Sequence, residues 1–245
     1  MEPLRFRRGV ASLAKRRGRA RGFTLVEMLV VLAIIAIMVA IVLTNQRSFN
    51  NSFTLANTAY DIGLTMRSAE TYGLGTRGLG ANANIGYGLH FDTSSNSSFI
   101  FFADTSPAPD TNSCYGPFAL GANAPNAKPG DCVYTAGSDQ EVSPYMINNG
   151  ITISNFCVHV SQLIPWVCEH GWYTPLFQAT LTSMDVVFSR PNDTPYISIG
   201  TTFSQPAWSA YYTSACLALL SPQGGTRYVS VSTTGEINGD AASCP

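Results

Sequence analysis

The sequence predicts an α+β protein: a long N-terminal transmembrane helix followed by a β-rich globular head. Three observations carry that reading. A single long apolar run, residues 23–43, follows a cluster of basic residues. Helical spacing of apolar residues continues beyond it, with no Gly or Pro from Phe23 through Ile62. From Gly78 onward the pattern becomes short alternating segments between turn-rich pieces, the signature of strands.

Composition narrows the class. Of 245 residues, 45% are hydrophobic and 12% charged, about half the usual charged share of roughly 25%. Low charge with many aromatics excludes intrinsic disorder of the whole chain. Gly and Pro are scattered without period, which excludes a collagen-like fibre, and coiled-coil heptads are absent. The formal net charge of −1 hides an asymmetry. Residues 1–22 hold eight bases (Arg5, Arg7, Arg8, Lys15, Arg16, Arg17, Arg19, Arg21) against Glu2, leaving the rest of the chain acidic. Such asymmetry indicates a basic arm or targeting segment, not a uniformly basic nucleic-acid binder.

The apolar run comes first. Its 21 residues would extend about 32 Å as a helix, enough to cross a bilayer core. Basic residues before it stay on the cytoplasmic side, so the segment after Thr44 is expected outside: a single pass in the cytoplasmic membrane with an extracytoplasmic head. A cleaved secretory signal fits poorly, because Leu43-Thr44-Asn45-Gln46-Arg47 lacks a small-residue cleavage pattern. A plain anchor fits the length but does not explain Glu27. A carboxylate at the centre of a membrane helix costs about 2.5–3.5 kcal/mol, and less near the interface. Snorkelling to the headgroups is the bland alternative.

Arg21-Gly22-Phe23-Thr24-Leu25-Val26-Glu27-Met28-Leu29-Val30 resembles the cleavage and methylation motif of type IV prepilins and pseudopilins. That motif couples a basic leader ending in Gly, an apolar first mature residue, Glu at the fifth mature position, and an apolar helix. The resemblance implies cleavage between Gly22 and Phe23 by a membrane prepilin peptidase and N-methylation of Phe23. It implies 1–22 as a leader, 23–75 as the N-terminal helix (membrane-spanning 23–43, amphipathic 44–72) and 76–245 as a pilin-like head. In a filament, helices stack with axial offsets, so Glu27 of one subunit can meet the positive N-terminus of a neighbour's Phe23. A carboxylate in hydrocarbon is costly unpaired and much less so when paired.

Beyond Leu43, the residues Phe49, Phe53, Ala56, Tyr60 and Leu64 repeat at helical spacing. Ala59, Ile62, Met66 and Ala69 widen the stripe, which is expected to face the head's core. Gly73 and Gly75 supply stop signals, predicting one helix over about 23–72. Where many pilins carry Gly or Pro in this helix, the chain has Ala36 and Thr44. Strands are predicted at 85–91, 98–103, 132–135, 151–160, 181–188, 196–199, 215–220 and 227–232, with turns at 92–97, 105–129, 190–195 and 221–226. Gly86-Tyr87-Gly88-Leu89-His90-Phe91 followed by Phe99-Ile100-Phe101-Phe102-Ala103-Asp104 resembles the early head strands of H-type minor pseudopilins.

Six cysteines, Cys114, Cys132, Cys157, Cys168, Cys216 and Cys244, all follow the membrane segment. An even count on the outer side indicates disulfides. Of the 15 full pairings that six cysteines allow, nearest-neighbour pairing gives Cys114–Cys132, Cys157–Cys168 and Cys216–Cys244. A rival use is a Cys₂His₂ zinc site from Cys157-x-His159 and Cys168-x-His170, although this spacing departs from the usual structural zinc patterns. No cofactor or metal is assigned.

Catalysis finds little support, since G-x-S-x-G, H-E-x-x-H and P-loop motifs are absent. His90 reads as a strand residue. Asp104, Asp110 and Asp131 match no EF-hand and read as solvated loop acids. Asn96-Ser97-Ser98 and Asn192-Asp193-Thr194 fit the glycosylation sequon, which indicates surface turns. DNA binding needs a basic patch, and beyond the leader the bases are only Arg47, Arg67, Arg77, Lys128, Arg190 and Arg227 against fourteen acids.

The expected function is a structural subunit, a minor pilin or pseudopilin of a type IV pilus or type II secretion pseudopilus. Its expected partners are prepilin peptidase, other pilin or pseudopilin subunits, the membrane and an inner-membrane assembly platform. The alternatives are a DNA-uptake minor pilin around Arg190 and Arg227, a membrane-anchored binding head that never assembles, and a secreted enzyme released by cleavage beyond residue 43.

Overall fold

A computed structural model describes residues 22–75, 77–78, 85–105, 130–159, 166–169, 181–190, 194–201, 212–241 and 243–244; for 44–49, 201 and 240 it describes the backbone. The chain divides into two compact units, Met1–Gln46 and Arg47–Pro245. The boundary falls inside a helix, α1 (Leu25–Leu74).

In the first unit, Leu25–Leu43 is long and apolar enough to cross a membrane, and none of it is buried. From Met28 to Leu43 an uninterrupted run of Leu, Val, Ile, Ala and Met leaves no polar face to distinguish from an apolar one. Such a helix has no aqueous side, which is the pattern of a segment solvated by lipid or by other helices.

In the second unit, α1 from Arg47 onward packs with ten strands among the described residues. They are β1 (Gly86–Asp92), β2 (Ser98–Asp104), β3 (Gln140–Met146), β4 (Thr152–His159), β5 (Val167–Cys168), β6 (Leu181–Phe188), β7 (Tyr196–Thr201), β8 (Ser214–Leu220), β9 (Thr226–Ser232) and β10 (Ile237–Ala241). They form two antiparallel five-stranded sheets, in the orders β3-β2-β1-β6-β7 and β10-β9-β8-β4-β5. The α+β class read from the sequence holds.

Alternation builds one core from three surfaces. β1 turns Tyr87, Leu89 and Phe91 inward, β6 turns Met184, Val186 and Phe188, and β8 turns Ala215, Leu217 and Leu219. These meet Leu55, Ala59, Ile62, Met66 and Ala69 of α1, which recur at the i, i+4, i+7 spacing of one helix face. A smaller cluster of Phe102, Cys132 and Val187 lies on the opposite face of the first sheet.

The helix face differs from the sequence reading. Phe53, Tyr60 and Leu64 are 59%, 63% and 51% exposed, and Phe49 lies outside the described side chains. Both stripes have helical period, so spacing alone does not choose between them. The buried face combines Leu55, Ile62 and Met66 with the small Ala59, Gly63 and Ala69, and the small residues admit a close approach: a Cβ on Gly63 would stand 3.0 Å from the Gly239 Cα of β10. Threonines and serines cover much of the remaining surface. The hydroxyls of Thr54, Thr58, Thr65, Ser68 and Thr71 each donate to the carbonyl four residues back.

The helix ends against the first sheet. A Cβ on Gly73 would collide with the Phe188 carbonyl, so this glycine sits inside the helix to permit contact as well as near its end. Arg190 Nε donates to the Leu74 carbonyl, satisfying one of the orphan acceptors of the last turn.

Residues 132–135 are not a strand. Cys132 has φ 62°, a left-handed conformation that breaks extension. Three strands were not anticipated. β3 is an edge strand, largely exposed and carrying Pro144. β5 is two residues long. β10 contains Asn238-Gly239-Asp240, which reads as a turn. Most of 105–129 lies outside the described residues, including Asp110 and Cys114.

Candidate functional site: the N-terminal segment and the outer faces of the head

Among the described residues the N-terminal segment opens with Gly22 and an exposed Phe23. Thr24 is the N-cap of α1. Its Oγ1 accepts the Glu27 N–H at 3.2 Å, and its carbonyl accepts the Met28 N–H at 3.2 Å. Thr24-x-x-Glu27 is thus half of a capping box. Glu27 stands in the first turn, where the helix dipole favours a negative charge. Reading Glu27 only as an intruder in apolar sequence missed this; the signal was the threonine three residues earlier.

On the head, the exposed face of α1 carries Phe53, Tyr60 and Leu64, and a groove of about 270 Å³ runs between it and Tyr145–Asn149. The Tyr145 hydroxyl donates to Asp61 Oδ2 across its wall at 3.4 Å.

The outer face of the first sheet holds a carboxylate cluster, two of whose members, Asp104 and Asp131, were expected to be solvated loop acids. Asp104, Asp139 and Asp185 are buried and Asp131 is half-buried. They pin a segment across the sheet through its backbone donors. Asp104 Oδ1 and Oδ2 accept the N–H groups of Asp131 at 3.0 Å and Cys132 at 2.7 Å. Asp139 accepts those of Thr105 at 2.9 Å and Thr135 at 2.7 Å. Asp185 Oδ1 accepts that of Tyr134 at 3.3 Å. Burial pushes the Asp104 carboxyl up to about 7, helped by the nearby Asp139 and Asp131 charges and opposed by its two N–H donors.

Asp104, Asp131 and Asp139 bring one oxygen each within 4.8 Å of the others, a donor set suited to a hard cation. The N–H bonds already explain why they converge, and the cluster reads as a clamp on backbone. His90, as expected, lies on a strand. Its Nδ1 is 2.7 Å from Asp185 Oδ1, and its ring packs against Tyr134 at 4.7 Å. Asp185 Oδ2 has no hydrogen-bond partner among the described residues. Burial raises the Asp185 pKa and the histidine opposes that rise.

The structure joins Cys157 to Cys168 and Cys216 to Cys244. Cys132 is also disulfide-bonded; Cys114, its expected partner, lies outside the described residues. The Cys157–Cys168 bond consumes both thiolates of the zinc alternative. His159 instead bonds Thr213 Oγ1 at 2.8 Å, and His170 lies outside the described residues.

Of the basic residues weighed for DNA, Arg190 is engaged at the end of α1, and Arg67 Nη2 donates to the Ile237 carbonyl at 2.9 Å.

Comparison with known families places the prokaryotic N-terminal methylation motif at residues 17–43, the signal of type IV pilins and pseudopilins. The match covers the end of the basic segment, Gly22, Phe23, Glu27 and the apolar helix. It supports a type IV pilin-like substrate of prepilin peptidase, and proteins of this motif are structural. No curated protein and no solved structure matches the chain.

Proposed function

We propose that this chain is a structural subunit, a minor pilin or pseudopilin, that assembles through its N-terminal helix into a type IV pilus or type II secretion pseudopilus. The carrying observation is the uncovered apolar helix Leu25–Leu43 with Glu27 in its first turn, inside the methylation motif at 17–43. Cleavage after Gly22 by prepilin peptidase gives Phe23 a free amino group, which is then N-methylated. The helix holds the chain in the cytoplasmic membrane, N-terminus inside and head outside, until the inner-membrane platform transfers it to the filament. There, packed helix contacts replace lipid contacts, and Glu27 pairs with the amino terminus of a neighbouring Phe23. The uncovered Phe23–Glu27 start suits that pairing, because a lone carboxylate gains most from a partner where water is scarce.

The second apolar stripe, Phe53, Tyr60 and Leu64, supports the same reading on the head's part of the helix. Large exposed apolar residues in register on one face are the form of a helix that meets other protein. The DNA-uptake reading gains nothing from Arg190, whose guanidinium is engaged within the fold.

Glu27→Ala tests the proposal. The Glu27 N–H bond to Thr24 is a backbone bond and survives the change, so cleavage is expected at the wild-type level. The variant is expected to be lost from the sheared filament fraction and retained in membranes. Incorporation at the wild-type level would overturn the pairing role.

A further inference from the structure

Three cysteines stand in a row across the second sheet. Cys157 on β4 lies directly opposite Cys168 on β5, and on its other side directly opposite Cys216 on β8. Directly opposed residues of antiparallel neighbours point to the same face, with Cβ atoms about 4.5–5.5 Å apart. That face is turned away from the core, because Phe156, Val158 and Leu217 alternate with the cysteines and point inward. The existing bonds leave the middle of this row unjoined. Cys157 is bonded to Cys168, and Cys216 to Cys244 near the C-terminus. Burial follows the same order. Cys157 and Cys216 are 7% and 1% exposed, whereas Cys168 and Cys244 are half-buried. Each disulfide joins a half-buried cysteine to a buried one, and the two buried residues are neighbours.

We propose that this row is a thiol–disulfide relay, in which a dithiol reductant attacking either bond drives the pair to one product: a Cys157–Cys216 disulfide with Cys168 and Cys244 as thiols. The reductant's thiolate attacks Cys244 Sγ, breaks the Cys216–Cys244 bond and leaves Cys216 as a thiolate. That thiolate attacks the neighbouring Cys157 Sγ, forms the Cys157–Cys216 bond and expels Cys168 as a thiolate, which takes a proton from water. The second thiol of the reductant resolves the mixed disulfide and releases Cys244 as a thiol. One dithiol has become a disulfide, and its two electrons and two protons now reside on Cys168 and Cys244. Entry at Cys168 runs the same steps in mirror order, the Cys157 thiolate attacking Cys216 Sγ.

Two features favour the product. Its cysteines are the buried ones, and it closes a longer loop than either original bond, which in the chain-entropy model restrains the unfolded state more. The consequence is mechanical. Among the described residues β5 pairs with β4 through Cys168 and Val167, with one further bond from the Glu169 N–H to the Phe156 carbonyl, so loss of the covalent tie loosens this edge and unties Cys244 from β8. This inference is independent of the assembly reading.

The test uses the full-length chain purified in detergent. The wild type is treated with one equivalent of dithiothreitol, trapped with N-ethylmaleimide in denaturant, and mapped by mass spectrometry of non-reduced peptides. The expected species carries linked Cys157–Cys216 with alkylated Cys168 and Cys244. In Cys244→Ser, made without any reductant, Cys216 is expected to displace Cys168 and leave it alkylated. A singly reduced wild type that keeps either original bond intact, with no Cys157–Cys216 peptide, would overturn the relay. So would a Cys244→Ser protein with linked Cys157–Cys168 and alkylated Cys216. The wild-type mapping decides the matter if the variant fails to accumulate.

Discussion

Asp104 and Asp185 are buried carboxylates whose charged forms burial disfavours. Asp104 titrates near 7 in the fold because burial disfavours its charge, whereas an aspartate in the unfolded chain titrates near about 3.9. Between those values the folded state keeps a proton that the unfolded chain has lost, so this group's contribution to stability falls as pH rises through that window. Thermal unfolding of the full chain in detergent should therefore give a higher midpoint at pH 5 than at pH 8. In Asp104→Asn that difference should shrink. The midpoint should also drop, because the amide NH₂ replaces one acceptor of the Asp131 and Cys132 N–H groups, a cost of about 1–3 kcal/mol. An unchanged pH profile in the variant would remove Asp104 from the account. His90→Ala removes the side-chain hydrogen-bond partner of the buried Asp185, and leaving a buried polar group unsatisfied costs about 1–3 kcal/mol. Chemical denaturation should show a loss of that order, and a loss below about 1 kcal/mol, the range of an exposed pair, would mean that the pair is not structural.

Elements show where sequence pattern is informative and where it is not. β6 was legible because Leu181, Met184, Val186 and Phe188 meet the core and turn-formers flank them. β3 was hidden by Pro144 and by polar exposed positions, which an edge strand tolerates and a central one does not. β10 was hidden by Gly239, which is there because α1 approaches it through Gly63. The helix was legible in type and length, but not in which stripe it buries, because both stripes share the helical period and the close approach of β10 at Gly63 is a tertiary contact that spacing does not show. Of the outer-face site, His90 was placed correctly on its strand. The carboxylate clamp was not legible, since its members come from separate strands and a loop. Gly63→Val should lower stability by about 1–3 kcal/mol, overpacking outweighing the gain in helix propensity. The opposite face should behave otherwise. Replacing Phe53, Tyr60 and Leu64 with Ser, Asn and Gln should leave the unfolding midpoint of the chain within a few degrees and reduce its share of sheared filaments. A collapse in stability would show that this stripe serves the fold.

At the scale of the whole molecule, the chain combines two parts with different solvents. One is an apolar helix with an acid at its start, uncovered among the described residues. The other is a head whose core is closed by a helix face and two sheets and whose outer face is clamped by carboxylates. The methylation motif joins the first part to processing at the membrane. Under the proposed function the consequences follow in order: leader removal would expose a new amino terminus, and only that terminus would give Glu27 a partner on a neighbouring helix. The most direct measurement is therefore mass spectrometry of the N-terminus of the protein taken from membranes of cells running an assembly machine. The account predicts a chain beginning at N-methyl-Phe23. A chain that retains residues 1–22 intact would contradict it.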